Sequence, residues 1–248
     1  MSAASRTCDD SPDVSIIIPA HNEEKRLPTA IDGLTRYLDL LPISAEVVIV
    51  ENGSTDDTAR IGDEAAVQDA RFQCLHIGDP GKGRAVRLGM LTARGQAVLF
   101  CDADFSMPIP DIDLLRSALD LGQDIVIASR EVAGAVREGE PTRRHVMGRV
   151  FNWLVRTIAV RGIEDTQCGF KAFRREVAKD LFSRQRTNGW AFDVEILFLA
   201  RRRGYRIAEV GVTWRYDPSS RVRPVRDTIG MLRELFMIRV NDMRGLYR

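Results

Sequence analysis

Phe100-Cys101-Asp102-Ala103-Asp104-Phe105-Ser106-Met107-Pro108 is the stretch on which the reading of this chain turns. The apolar run Ala97-Val98-Leu99-Phe100 leads into it and Pro108 and Pro110 follow, so an extended segment ends where two carboxylates stand one residue apart. Alternation along a strand sends Asp102 and Asp104 to the same side. Two hard oxygen donors at a strand end suit Mg²⁺ or Mn²⁺ carrying a diphosphate. The same pair also serves to cap the next helix or to solvate a turn. Which role applies depends on what the other strand ends carry.

Upstream, Val14-Ser15-Ile16-Ile17-Ile18-Pro19 is the β-branched run of a buried parallel strand, stopped by Pro19. Leu27, Ala30, Ile31, Leu34, Tyr37 and Leu38 follow at helical spacing. A second strand, Glu46 to Val50, closes in Glu51-Asn52-Gly53-Ser54-Thr55-Asp56, a turn and cap cluster entering a helix through Thr58, Ile61 and Ala65. Phe72 to Ile77 is a third strand, a glycine-rich loop and helix run from Gly78 to Ala93, and the strand at 97–101 delivers the two aspartates. A helix at 111–121 and a strand at Asp124 to Ala128 complete the series. This β-α alternation predicts an α/β fold with a doubly wound, mostly parallel sheet. Ligands of such sheets sit at the carboxyl ends of the strands, where every polar cluster named so far falls.

Beyond Arg130 the rhythm changes. The pattern predicts an apolar helix over 143–161 punctuated by Arg149, Arg156 and Arg161, a turn at 165–170, and a short helix from Glu176 to Phe182. A helix from Trp190 to Ala200 with Asp193 and Glu195 at its start, a strand from Arg206 to Trp214, and a helix from Thr228 to Val240 follow. The expected organisation is a disordered tail at 1–13, one domain over 14–218 and a C-terminal amphipathic helical appendage over 219–248.

The chain has 248 residues, 44% of them hydrophobic and 29% charged, with a net charge of +1, so no global field points to nucleic acid. Acidic residues concentrate in the first half, and arginine dominates from Arg130 onward, a basic face for an anionic substrate or a membrane surface. Cys8, Cys74, Cys101 and Cys168 are widely spaced, and the start shows no basic and apolar leader pattern, which reads as a reducing, cytoplasmic setting. No uninterrupted apolar run approaches the roughly 20 residues of a spanning helix.

Two clusters precede the aspartates in the chain. Pro19-Ala20-His21-Asn22-Glu23-Glu24 ends the first strand, where a nucleotide base could lodge; it also reads as a helix start with Asn22 as cap. Gly78-Asp79-Pro80-Gly81-Lys82-Gly83-Arg84 offers two cations and flexible backbone before a helix, a phosphate cradle or an ordinary glycine loop. It fits neither the P-loop nor the dinucleotide pattern.

Taken together, I-I-I-P-A-H-N-E-E, V-I-V-E-N-G-S-T-D-D-T, G-K-G-R-A-V-R-L-G-M and D-A-D resemble the family 2 glycosyltransferases of GT-A fold, specifically the polyprenyl-phosphate sugar synthases. D-T-Q-C-G-F-K-A-F and W-A-F-D-V-E look most like the dolichyl-phosphate β-glucosyltransferase branch, and the resemblance covers roughly residues 14–240. It implies that Pro19, His21 and Glu23 hold the nucleobase. Asn52 stands where the family usually has aspartate, and an amide can both accept from uracil N3–H and donate to O4, which favours UDP over GDP. Lys82 and Arg84 would approach the diphosphate, and Asp102 and Asp104 would bind the metal. Ser106 replaces a frequent third ligand, glutamine. Arg130 and Arg144 correspond to arginines that hold the acceptor phosphate, for which guanidinium forks are suited, whereas Arg143 reads as solvated surface charge. Asp165 and Gln167 sit in the turn the family places near the donor, and Arg221 keeps the positive charge of the family's S-K-L.

Asp193 either touches donor sugar hydroxyls or caps its helix, and in relatives that glycosylate hydroxyls an acid near this point acts as base. Trp190 either stacks on the sugar or packs in the core. The implied activity is inverting transfer of glucose from UDP-glucose to a polyprenyl phosphate with Mg²⁺ or Mn²⁺, by a protein peripheral on the cytoplasmic membrane face through the helices at 146–161 and 228–240. The rivals are a GDP-mannose-dependent enzyme, a transferase acting on a soluble small molecule with Asp193 as base, and a sugar-nucleotide-binding or nucleotidyltransferase protein.

Overall fold

The structure, a computed structural model, describes residues 11–141, 148–149, 152–157, 159–217 and 224–248. Most of the tail at 1–13, the start of the helix expected at 143–161 and the boundary at 218–219 lie outside the described residues. The runs of Val, Ile and Ala become β1 (Val14–Ala20), β2 (Ala45–Asn52), β4 (Ala97–Cys101) and β5 (Ile125–Ser129), nearly every residue of which is buried because helices cover both faces. With β3 (Phe72–Ile77), β7 (Phe170–Arg174) and β8 (Ile207–Gly211) they form one seven-stranded sheet in the order β3-β2-β1-β4-β7-β5-β8. The helices are α1 (Leu27–Leu40), α2 (Thr58–Gln68), α3 (Lys82–Thr92), α4 (Asp111–Asp120), α5 (Arg175–Arg184), α6 (Phe192–Arg202) and α7 (Pro224–Met243), and residues 152–157 are also helical. The doubly wound, mostly parallel sheet expected from the sequence is present.

Two departures shape the site. β7 runs antiparallel between β4 and β5, with Phe100 opposite Lys171 and Leu99 opposite Ala172. The sequence pattern predicts only the turn before it, at 165–170. The strand expected over 206–214 is broken at Val212: β8 stays in the main sheet, and β9 (Thr213–Arg215) leaves it to pair in parallel with β6 (Val136–Glu138). The Val212 N–H donates to Ser129 O and its carbonyl accepts from Val136, so this one residue bridges the two sheets. The C-terminal helix is fastened to the same core, since Leu235, Ile238 and Tyr247 are buried in it.

α3 crosses β1 and β2 at close range. A Cβ on Gly89 would lie 2.2 Å from Ile17 Cγ2 and 3.1 Å from Val50 Cγ2. This seat sets the position of the start of α3, and with it Lys82. Gly89→Ala is expected to destabilise the fold by about 1–3 kcal/mol, the usual range for overpacking, because the roughly 1 kcal/mol that alanine gains in helix propensity does not offset such an overlap. A lowered urea midpoint at unchanged slope is the expected readout.

Candidate active site

The carboxylates emerge where β4 stops. The Phe105 N–H donates to Asp102 O at 3.2 Å, with Phe105 itself at φ +42°, and Asp104 Oδ1 accepts the Ser106 N–H at 3.0 Å. This turn keeps both side chains at the end of the sheet. Lys82 Nζ, from the first residue of α3, lies 2.6 Å from Asp102 Oδ1. The other carboxylate oxygen of Asp102 rests against Gly169, where a Cβ would come within 2.0 Å of it. Burial, and then the Asp102 charge, push the Asp104 carboxyl above its ordinary range. Although burial works against its charge, Asp102, Asp193 and Asp104 hold the Lys82 ammonium above its usual value.

Behind this pair sits a second one. Lys171, fully buried on β7, donates to Asp193 Oδ1 at 2.5 Å and to Cys168 O at 2.6 Å. Burial raises the Asp193 carboxyl, with Lys171 and then Lys82 opposing it. Asp193 lies in the first turn of α6 but makes no cap hydrogen bond; its partner is Lys171. Removing one member of such a buried pair costs about 3–5 kcal/mol, so Asp193 is part of the fold's foundation. Trp190 is half-exposed, with Lys82 Nζ 5.4 Å from its ring centre. Its backbone neighbour Ala191 donates to Glu234 Oε2 of α7 at 2.9 Å.

The strand ends of β1 and β2 are locked to each other. Pro19 is buried within the sheet opposite Val50. His21 Nδ1 lies 2.8 Å from Asn52 O. The buried Asn52 amide, expected to read a base, donates to Ala20 O at 3.1 Å and accepts the Gly81 N–H at 2.9 Å, joining β1 to the glycine loop. Glu23 closes both oxygens on Arg26, at 2.6 and 2.8 Å, and Arg26 also reaches Asp217 at 3.2 Å. Arg84 holds Asp79 at 2.7 Å across a largely exposed pair.

Arg130, expected at an acceptor phosphate, has its fork inside the protein. Its Nε and Nη2 donate to Asp165 at 2.7 and 2.9 Å, its own N–H donates to the same carboxylate, and its guanidinium lies 5.4 Å from the Trp214 ring centre. Although burial opposes ionisation, the Arg130 charge and hydrogen bonds hold the Asp165 carboxyl down at about 2. Asp165 therefore ties the end of β5 to the turn that carries Gly169, rather than facing solvent. Gln167 is half-buried in that turn and approaches Met231 Sδ of α7 at 4.0 Å. Arg143, Arg144 and Arg221 lie outside the described residues.

Sequence reasoning missed Lys171 and Gly169 as site-shaping residues, and Arg26 beside Glu23. A lone lysine within Phe170-Lys171-Ala172-Phe173 was the available signal, because a cation in an apolar strand needs a buried partner. Three carboxylates (Asp102, Asp104 and Asp193) face two ammoniums (Lys82 and Lys171), which leaves one negative charge over. Such a site attracts a hard cation at Asp102 and Asp104 and can counter an anion at Lys82.

The chain is similar to known proteins along almost its whole length. The family model described as Glycosyl transferase family 2 matches residues 15–182. The dolichyl-phosphate beta-glucosyltransferase of Drosophila melanogaster is 38% identical, over 97% of this chain and 79% of that one, and its Homo sapiens counterpart is 34% identical over 96% and 79%. Among solved structures, glucosyl-3-phosphoglycerate synthase from Mycobacterium tuberculosis, in complex with Mn²⁺, UDP and phosphoglyceric acid, superposes with a TM-score of 0.67 at 20% identity, covering 93% of this chain and 78% of that one. The shared fold is the GT-A fold, and the chain is a glycosyltransferase belonging to family 2.

Proposed function

We propose that this enzyme transfers glucose from UDP-glucose to a polyprenyl phosphate of the dolichyl type, with inversion at the anomeric carbon. The observation that carries the reading is the Asp102–Lys82–Trp190 cluster, in a chain matched over almost its whole length by relatives named dolichyl-phosphate beta-glucosyltransferase. Lys82 presents a cation beside the carboxylates and Trp190 an aromatic face beside Lys82, an arrangement suited to a sugar diphosphate. Asp102 and Asp104 would hold Mg²⁺ or Mn²⁺: both are oxygen donors, and the burial and mutual repulsion that raise Asp104 are relieved by a cation. When bound, the ion supplies counter-charge to the leaving nucleoside diphosphate.

An acceptor phosphate is already an anionic nucleophile and needs no base. This agrees with Asp193 being committed to Lys171 and speaks against a hydroxyl acceptor deprotonated by Asp193. Because the Asn52 amide is bonded to Ala20 and Gly81, the preference for uridine rests on the glucosyl-transferring relatives and on the UDP-bound structures of the same fold. Incubation with radiolabelled UDP-glucose, Mg²⁺ and polyprenyl phosphate is expected to place label in the organic phase, with GDP-mannose inert. Label that enters phosphoglyceric acid instead, or transfer from GDP-mannose alone, would overturn the assignment.

Gly169→Ala tests the site without replacing a charged group. The new Cβ displaces the Asp102 carboxylate, a short flexible target, so turnover should fall by roughly 100-fold, as misplacement by about 1 Å can cause. The unfolding midpoint should move little.

Among the described residues no helix is long and apolar enough to cross a membrane. Leu232, Phe236 and Met243 nonetheless line one outward stripe of α7, with Phe236 65% exposed, and Arg239 lies at its flank. We assign this stripe to the membrane interface, where a long isoprenoid chain stays in lipid while its phosphate enters the site. Phe236→Asp should reduce co-flotation with anionic vesicles while leaving the melting temperature unchanged.

A further inference from the structure

At the edge of the sheet away from β4, α2 and β3 bring a different donor set together. Asp63 of α2 and Cys74 and His76 of β3 place a carboxylate oxygen, a thiol sulfur and a ring nitrogen all within 4.8 Å of one another. The strand's alternation puts Cys74 and His76 on the face toward α2. On that helix the facing residue is Gly62, where a Cβ would come within 2.6 Å of Cys74 Sγ, so the helix leaves room for the sulfur. His76 lies between two carboxylates: its Nε2 is 2.9 Å from Asp63 Oδ1 and its Nδ1 is 3.4 Å from Glu51 Oε2. A neutral imidazole has one N–H for those two acceptors, so the second contact calls for a further proton or a cation.

We propose that Asp63, Cys74 and His76 form a second metal site, for a divalent transition ion of the Zn²⁺ class, with Glu51 orienting His76 from behind. Sulfur, imidazole and carboxylate are the donors of tetrahedral zinc sites, and three protein ligands leave one position open to water. The exposed Asp63 and His76 keep that position accessible. A carboxylate on the far nitrogen of a metal-bound histidine fixes its tautomer, and Glu51 stands at that nitrogen. Binding places the ion where the Nε2–Asp63 contact now is, displacing the proton of that contact, and releases the Cys74 thiol proton to solvent. The donor set differs in softness from Asp102 and Asp104, so Mg²⁺ at the catalytic centre does not compete. Glu51 also accepts the Ser54 N–H at 2.5 Å, which connects the ion to the turn after β2.

The test is a Co²⁺ titration of the full chain in saturating Mg²⁺. One equivalent should produce a thiolate-to-cobalt charge-transfer band together with tetrahedral ligand-field absorption, both abolished by Zn²⁺. Cys74→Ser should lose the charge-transfer band and Cys8→Ser should keep it. Glu51→Gln should keep the band but weaken binding by roughly 10- to 100-fold, the usual effect of removing an outer partner. A missing charge-transfer band in the folded wild-type chain, or one that survives in Cys74→Ser, overturns the proposal. Neither result bears on glucosyl transfer, which is read separately with Mg²⁺ alone.

Discussion

The contact between Lys171 and Asp193 is the constraint on which the site depends. An ammonium at the centre of a sheet is tolerated only with a counter-charge and full hydrogen bonding, and here it has Asp193 and the Cys168 carbonyl. Those two bonds join β7, the first turn of α6 and the turn that carries Gly169. Gly169 then sets the place of Asp102, and Asp102 that of Lys82. The alternating charges that run from Lys171 outward are a single electrostatic unit, buried at one end and open to solvent at the other.

The C-terminal segment is bound into that unit by polar contacts as well as by its apolar face. Tyr247 donates to Glu195 Oε1, while Glu195 Oε2 accepts the N–H groups of Arg186 and Thr187. The carbonyl of the next residue, Asn188, takes the Arg84 N–H at 3.3 Å. The glycines at the start of α3 answer to this turn: a Cβ on Gly83 would lie 2.7 Å from Thr187 O, and one on Gly81 would lie 2.8 Å from Asn188 O. The stretch that reads in the sequence as a phosphate cradle or an ordinary glycine loop is held close to a neighbouring turn, and the tight fit is what aims Lys82.

The parallel half of the fold was legible because each of its strands is an apolar run closed by a turn cluster, and the position of Asp102 and Asp104 at a strand end followed from it. β7 was not legible, because Phe170 to Arg174 follows a turn, carries a lysine and pairs with strands far away in sequence. The partners of charged residues were equally hidden. Arg130 reads as a phosphate ligand and Asn52 as a base reader, and what the sequence does not show is Asp165 across the Arg130 fork and Ala20 and Gly81 on the Asn52 amide. Residue type and spacing place a side chain at the mouth of a site, but only the tertiary fold shows whether its hydrogen bonds are already used.

The antiparallel insertion of β7 also couples the site to long-range strand pairing. On one side Phe100 meets Lys171, and on the other Ile127 meets the same lysine, so the strand closes two long loops at once. The entropy of closing such loops is spent before the pairing returns anything. β1 reaches β4 across as long a stretch of chain as β7 reaches its neighbours, and β7 gains a full set of partners only when both flanking strands are in place. A chain in which β7 is not yet paired still lacks the lysine that organises its chemistry.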